Sequence, residues 1–224
     1  MLNDPVSVPF DSVQSIGFAI MRTGAHQWHV GMLYKINGHA ARLRHLCWHL
    51  EVKDDDLCDF RYMWVDVAAL GPQNKRLLAL RLSKVGKDKV PYGVGFKEDG
   101  EYIDKKTLRY RKTVLGDGLT CATYVLEILQ TFGHKPFVFS QWVATQPDID
   151  WQKATIAENE AKYPNDIAHF SAERSNIGGA RFRPEHITAS GKENKWPVSQ
   201  ESADTGGAAV IVKYNLERPI TIYN

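Results

Sequence analysis

GDGLTCATYVLEILQTFGH, residues 116–134, is the stretch of sequence that decides the fold. Its apolar side chains recur at the spacing of one helix face, at Leu119, Ala122, Val125, Leu126 and Leu129. Gly133 follows the last of them, and glycine commonly ends a helix. The Gly-Asp-Gly at 116–118 permits a sharp turn into the helix. The stretch therefore predicts a helix that carries Cys121 in its first turn.

Cys121 has two interpretations at this position. The positive end of a helix stabilises a thiolate, so we expect the pKa of this thiol to fall from about 8.5 toward neutrality. Such a cysteine is a candidate nucleophile. A cysteine on an amphipathic helix also serves as a small buried apolar residue, and the helix alone leaves both interpretations open.

Residues 15–66 alternate apolar and polar positions in the four runs SIGFAIM, WHVGMLYKI, ARLRHLCWHL and YMWVDV. Alternation with period two predicts half-buried strands, and Asn37-Gly38 between the second and third runs is a hairpin turn signal. A helix is predicted from Pro72 until Gly86 ends it. The predicted fold class is therefore α+β, with an antiparallel sheet packed against the Cys121 helix.

The second half of the chain has less regular patterning. WQKATIAENEAKYPNDIAHF, residues 151–170, is predicted to be helical on either side of Pro164, and AAVIVKYNL, residues 208–216, is predicted to be a last strand. We expect one domain over residues 1–224, with its core at about 15–132 and residues 134–224 as a C-terminal decoration.

Two histidines on neighbouring predicted strands complete the candidate site. His29 lies in the strand WHVGMLY, and alternation places His45 and His49 on one face of the next strand, together with Leu43 and Cys47. A thiol nucleophile needs one imidazole to take its proton and a second polar group to orient that ring. The sequence therefore predicts that His29 and His45 lie side by side as such a pair, with His49 as the alternative to His45.

This order of motifs resembles a known family. A His-x-Gly strand, a second polar strand, the Pro91-Tyr92 pair and then Thr-Cys-Ala at a helix start are similar to the circularly permuted NlpC-type papain-like proteins, which include relatives of lecithin–retinol acyltransferase. The resemblance covers roughly residues 15–132 and implies a papain-like fold. It implies that Cys121 is the nucleophile, His29 the general base and His45 the orienting group, and that Tyr92 lines the site or lies on its oxyanion side.

The resemblance also bears on the reaction. The acyltransferase branch tends to carry Asn before the cysteine and a membrane anchor, whereas Thr120 stands there in this chain and no anchor is visible. We therefore expect a cysteine peptidase or amidase that hydrolyses an amide, peptide or isopeptide bond through a Cys121 acyl-enzyme. A catalytically inactive binding module and an acyltransferase of the same fold are the alternatives. Cell-wall peptides, protein modifiers and lipid amides all remain open as substrates.

Composition limits the partners. The 28 Lys and Arg residues nearly balance the 26 Asp and Glu residues, so a net charge of +2 gives no field that attracts nucleic acid or a membrane. The five histidines between His26 and His49 lack the spacing of a zinc site, and neither a metal nor another cofactor is expected.

The compartment is inferred from two further features of the sequence. No secretory signal and no apolar run of membrane-spanning length is visible, and Cys47, Cys58 and Cys121 form no disulfide framework. These features favour the cytoplasm, or delivery as an effector without a signal peptide. The oligomeric state is left open.

Overall fold

A computed structural model describes residues 1–24, 27–56, 59–98, 102–111 and 114–218. Within these ranges the chain forms one five-stranded antiparallel sheet and six α-helices, which confirms the α+β class. His26 and Cys58 lie outside the described residues.

The alternating runs form strands, as predicted. The strands are β1 (Ile16–Arg22), β2 (Trp28–Tyr34), β3 (Arg42–Trp48), β4 (Glu51–Asp56) and β5 (Met63–Asp66). Their order in the sheet is β4-β3-β2-β1-β5. The sequence did not predict β4 as a separate strand, because EVKDDD lacks apolar alternation and the strand is mostly half-buried or exposed at the sheet edge. Ion pairs hold it to β3, including Arg44 to Asp54 at 2.9 Å.

The helices follow the predictions less evenly. They are α1 (Pro72–Leu82), α2 (Cys121–Thr131), α3 (Gln146–Lys162), α4 (Ile167–Glu173), α5 (Pro184–Lys192) and α6 (Gln200–Glu217). Helix α2 begins at Cys121 and is followed by Gly133 at φ 84°, as expected. Helices α3 and α4 lie on either side of Pro164, also as expected, whereas α1 ends at Leu82, short of Gly86.

The predicted last strand over residues 208–216 is wrong, since this segment belongs to α6. Ser199 caps the helix by accepting a hydrogen bond from the main-chain N–H of Ser202 at 3.2 Å. The buried side of α6 has the spacing of a helix face, at Ala203, Gly207, Val210 and Tyr214. This helical period outweighs the strand propensity of the Val-Ile-Val run at its centre.

The C-terminal part contributes to the core, so the predicted core boundary near residue 132 is wrong. Helix α5 contacts β1, β2 and β5 as well as α2. Its Ile187 and Ala189 are buried in the same apolar cluster as Phe18 and Val65 of the sheet. Residues beyond 134 therefore cover one face of the sheet.

The sheet has two buried faces. Helices α2 and α5 cover the face that presents Val30 and Met32. The opposite face presents Leu33 and Leu43, and the N-terminal segment around Phe10 covers part of it. Alternation along β2 and β3 places His29 with Leu33 and His45 with Leu43, on this second face. None of the described helices is long and apolar enough to cross a lipid bilayer.

Gly31 is the position where β2 and β3 pack most closely, and it provides a test of this geometry. A Cβ there would lie 2.8 Å from both His45 Cβ and Leu43 Cδ1, and 3.1 Å from the main-chain oxygen of Arg44. We predict that Gly31→Ala lowers the free energy of unfolding by about 1–3 kcal/mol, because β3 must move to admit the methyl group. Urea denaturation measures the change.

Gly71→Ala is the matched control for this substitution. Nothing lies within 4 Å of a Cβ at Gly71, so we expect a change of less than about 0.5 kcal/mol. Equal stabilities of the two variants would contradict the close approach at Gly31.

Candidate active site

The start of α2 is fixed by its cap. Thr120 Oγ1 accepts from the main-chain N–H of Thr123 at 3.1 Å, and the main-chain N–H of Thr120 donates to Thr123 Oγ1 at 2.7 Å. This reciprocal pair satisfies two donors at the helix start. It makes Cys121 the first helical residue, where the main-chain N–H has no partner inside the helix.

The segment before the helix is packed main chain against main chain. A Cβ on Gly93 would lie 2.6 Å from Gly118 Cα, so both glycines are needed for this approach. Leu119 donates its N–H to Pro91 O at 2.9 Å and accepts from Gly93 N at 3.2 Å. Tyr92, between the two bonded residues, is thereby held next to the start of α2.

The two predicted imidazoles are in direct contact. His29 Nε2 lies 2.7 Å from His45 Nδ1, and His45 Nε2 lies 3.1 Å from Asp55 Oδ2 of β4. The regular β2–β3 ladder runs only from Tyr34 to Met32, so His29 and His45 lie just beyond its end. The structure therefore forms a carboxylate–imidazole–imidazole chain across three strands.

The direction of proton donation in this chain follows from its carboxylate end. Ionised Asp55 only accepts, so His45 carries its proton on Nε2 and its Nδ1 is an acceptor. His29 Nε2 must then be the donor to that nitrogen. The remaining nitrogen, His29 Nδ1, is left with a free lone pair, and no hydrogen bond from the described residues occupies it. The hydrogen-bonded chain thus leaves His29 Nδ1 as an acceptor.

Cys121 and this chain line one cleft of about 900 Å³. Its lining includes Cys121, His29, His45, Tyr62 and Tyr92. Among the described residues no hydrogen bond joins Cys121 Sγ to either imidazole. Catalytic hydrogen bonds are often long before substrate binds and tighten afterwards.

Burial determines the protonation states of Cys121 and His29. It raises the pKa of the Cys121 thiol to about 11, although the main-chain N–H groups of Val30, Ala122 and Cys121 act in the opposite direction. The pKa shift is therefore opposite to the one expected from the sequence, because the desolvation cost of a thiolate exceeds the stabilisation at the helix start. Burial and the neighbouring His45 lower the pKa of His29 to about 3. Thiol and imidazole are both neutral at pH 7.

His49 does not take the orienting role that was its alternative assignment. Strand β3 has an irregular register between Leu46 and Trp48 and ends at Trp48, so period-two alternation no longer applies at His49. His49 Nδ1 instead accepts the main-chain N–H of Tyr92 at 3.1 Å. His169 Nε2 donates to the carbonyl oxygen of Tyr92 at 2.9 Å. The two histidines hold the main chain of Tyr92 from both sides.

The sequence did not predict three residues that line the cleft beside the two imidazoles, namely Asp55, Tyr62 and Cys47. Asp55 lies in a charged run with no pattern, and its pairing with His45 depends on the unpredicted β4. Tyr62 contacts the edges of both imidazoles, with ring centroids 6.3 Å from His29 and 6.4 Å from His45. Cys47 was noted only for its face, yet its Sγ lies 3.4 Å from His45 Nδ1. Burial raises the pKa of Cys47 to about 12.

Comparison with protein-family models, with curated proteins and with solved structures finds no match to this chain. In the ranges that the structure describes, no group of three or more His, Cys, Asp and Glu side chains is arranged to hold a metal ion. What the site does must be argued from its own geometry.

The buried neutral state of His29 has a consequence for stability. Its folded pKa of about 3 is below the ordinary 6.5, so the unfolded chain binds more protons between these values. This contribution to stability is complete above pH 6.5 and is lost as pH falls toward 3. We predict that wild type loses about 1–2 kcal/mol more than His29→Gln between pH 7 and pH 5.

Urea unfolding at the two pH values measures this difference. His39→Gln, which removes an exposed histidine after β2, controls for the loss of a histidine as such. A pH dependence of His29→Gln that equals that of wild type would contradict the burial of a neutral His29.

Proposed function

We propose that this protein is a thiol hydrolase that cleaves an amide, peptide or isopeptide bond through a Cys121 acyl-enzyme, with His29 as base. The observation that carries the proposal is the Asp55–His45–His29 hydrogen-bonded chain in the cleft that Cys121 lines. Burying this hydrogen-bonded chain costs free energy, because its polar groups leave water. Packing alone does not explain why the chain ends in a ring nitrogen that has no hydrogen bond from the described residues. The papain-like, permuted NlpC-type fold is part of the proposal.

The reaction follows from the protonation states. His29 Nδ1 takes the proton of Cys121 as Sγ attacks the acyl carbon, so the neutral pair becomes an imidazolium and a tetrahedral oxyanion, which becomes the thioester only when the amine leaves. His45 accepts from His29 Nε2 throughout, and Asp55 stabilises the positive charge that arrives. His29 then gives the proton to the leaving amine, and water attacks the thioester with His29 again as base.

The oxyanion has two candidate donors. The main-chain N–H of Cys121 has no carbonyl partner within the helix, and Tyr92 lines the same cleft. Burial and Cys121 raise the pKa of Tyr92, so its hydroxyl stays protonated and is able to donate. Loss of one such donor typically costs about 100-fold or more in rate.

Two alternatives remain. A binding module of the same fold would use Cys121 and the histidines only as core, and an acyltransferase would pass the acyl group to an acceptor other than water. The free thiols of Cys47 and Cys121 fit a reducing compartment, and we propose the cytoplasm, or a route of delivery as an effector.

Selective alkylation of Cys121 is the experiment that tests this function. We predict that iodoacetamide at pH 7 modifies Cys121 faster than Cys47 and Cys58, and that His29→Ala slows it by about 100-fold. Because burial keeps His29 neutral, the rate should hold well below pH 6.5. Peptide mass spectrometry measures each site, with Cys121→Ser as the blank.

An independent check of folding accompanies this measurement. Circular dichroism of His29→Ala and of the more conservative His29→Gln separates a lost base from a lost fold. Equal modification of all three cysteines, or a Cys121 rate that is unaffected by His29, would support the binding module instead.

Asp55 provides a second test, which is specific to the direction of proton donation in the Asp55–His45–His29 hydrogen bonds. We predict that Asp55→Asn slows Cys121 alkylation by about tenfold or more, because an amide neither holds the His45 tautomer nor stabilises the imidazolium. Asp56→Asn is the matched control, since the adjacent Asp56 is 83% exposed and pairs with Arg42. Equal rates in the two variants would show that the base does not depend on this chain.

A further inference from the structure

Across the cleft from the imidazoles stands a wall built by α3, α5 and the segment that enters α5. Its centre is Arg181, whose guanidinium carbon lies 3.8 Å from the ring centroid of Trp151. Arg181 Nη1 also donates to Asp148 Oδ1 at 3.2 Å. Stacking covers one face of the guanidinium, and one hydrogen bond occupies one of its five donors.

The carboxylate of Asp148 is already fully engaged. Its Oδ1 accepts from Arg183 Nε at 3.1 Å and Nη2 at 2.7 Å, in addition to Arg181. Its Oδ2 accepts from the main-chain N–H and the hydroxyl of Thr145 at 3.0 and 2.7 Å. Two guanidinium groups thus share one carboxylate oxygen. Arg181, which is only 17% exposed and lines the cleft, keeps unused donors there.

None of the other described carboxyl groups that line the cleft accepts a hydrogen bond from Arg181. Asp55 pairs with His45, Asp56 with Arg42 and Asp59 with Arg61, all on the side of the sheet. Glu158 is exposed on α3 and Glu185 lies in the first turn of α5, and neither forms an ion pair or side-chain hydrogen bond with a described residue.

Glu158 and Glu185 lie on the same wall as Arg181, and Glu185 interacts electrostatically with it. Burial raises the pKa of Glu185 and lowers that of Arg181. An arginine stays charged at neutral pH even when its pKa is lowered, whereas a carboxyl group with a raised pKa is closer to neutral. Arg181 therefore keeps its positive charge at pH 7, and of the described carboxylates only Asp148 accepts a hydrogen bond from it.

We propose that Arg181 is a specificity residue that binds a carboxylate group of the acyl donor, close to the bond that Cys121 attacks. A planar carboxylate in the plane of the guanidinium accepts two N–H bonds without displacing the Trp151 stack. Tyr92, Cys121 and Arg181 all line the same cleft. This inference rests on the proposed function, because it assigns the substrate class of the same site.

The test uses two alkylating probes that differ in charge. Iodoacetate carries a carboxylate and iodoacetamide does not, and both react by the same step, in which Sγ of Cys121 bonds to carbon, iodide leaves and the thiol proton passes to His29. The rate ratio of iodoacetate to iodoacetamide at pH 7 therefore reports charge recognition separately from thiol reactivity. N-acetylcysteine amide provides the reference ratio.

We expect the ratio at Cys121 to exceed the reference by about threefold or more, and Arg181→Gln to abolish the excess. Arg181→Lys should keep part of it, and Glu185→Gln should increase it. Arg109→Gln is the matched control for net charge, since Arg109 is 66% exposed, pairs with Asp88 and does not line the cleft. It should leave the ratio unchanged.

The failures of the two proposals are distinguishable. If iodoacetamide reacts fast at Cys121 while Arg181→Gln leaves the ratio unchanged, the carboxylate site is wrong and the hydrolase proposal stands. If Cys121 is slow with both probes and insensitive to His29, the proposed function is wrong and this inference falls with it.

Discussion

The hydrogen bond between His29 Nε2 and His45 Nδ1 crosses two strands where their ladder ends, and the rest of the site depends on it. Gly31 permits it, because any side chain there would push against His45 Cβ. Asp55 orients it from the next strand, which fixes which nitrogen of His29 is free. Without this bond the two rings would be separate buried histidines.

Burial acts on the site in two opposed ways. It keeps His29 unprotonated and the Cys121 thiol protonated at neutral pH, so neither group is charged. A helix N-terminus favours a thiolate only as far as desolvation allows. In the reaction that we propose, deprotonation of Cys121 therefore accompanies attack, and the stabilisation of an imidazolium beside Asp55 is gained only along that reaction.

The sheet and the Cys121 helix were predictable because both have strong periods that match their burial. The contact between His29 and His45 was predictable for the same reason, since alternation places both residues on one face. Alternation failed at His49, where the strand register is irregular and the strand ends, and it gave no signal for Asp55 in the charged strand β4. Such contacts depend on which strands become neighbours in the sheet, and the periodicity of a single strand does not predict that pairing.

The C-terminal half shows the same limit on a larger scale. The AAVIVKYNL run was assigned to a strand on local propensity, although the buried positions of α6 follow a helical period that begins before this run. Because α5 packs on the sheet, this helix and the residue that precedes it contribute to two parts of the molecule. Ile187 lies in the core, whereas Arg183 and Glu185 line the cleft. The wall is thus continuous with the core through α5, so the packing that stabilises the sheet also holds the residues at the start of this helix.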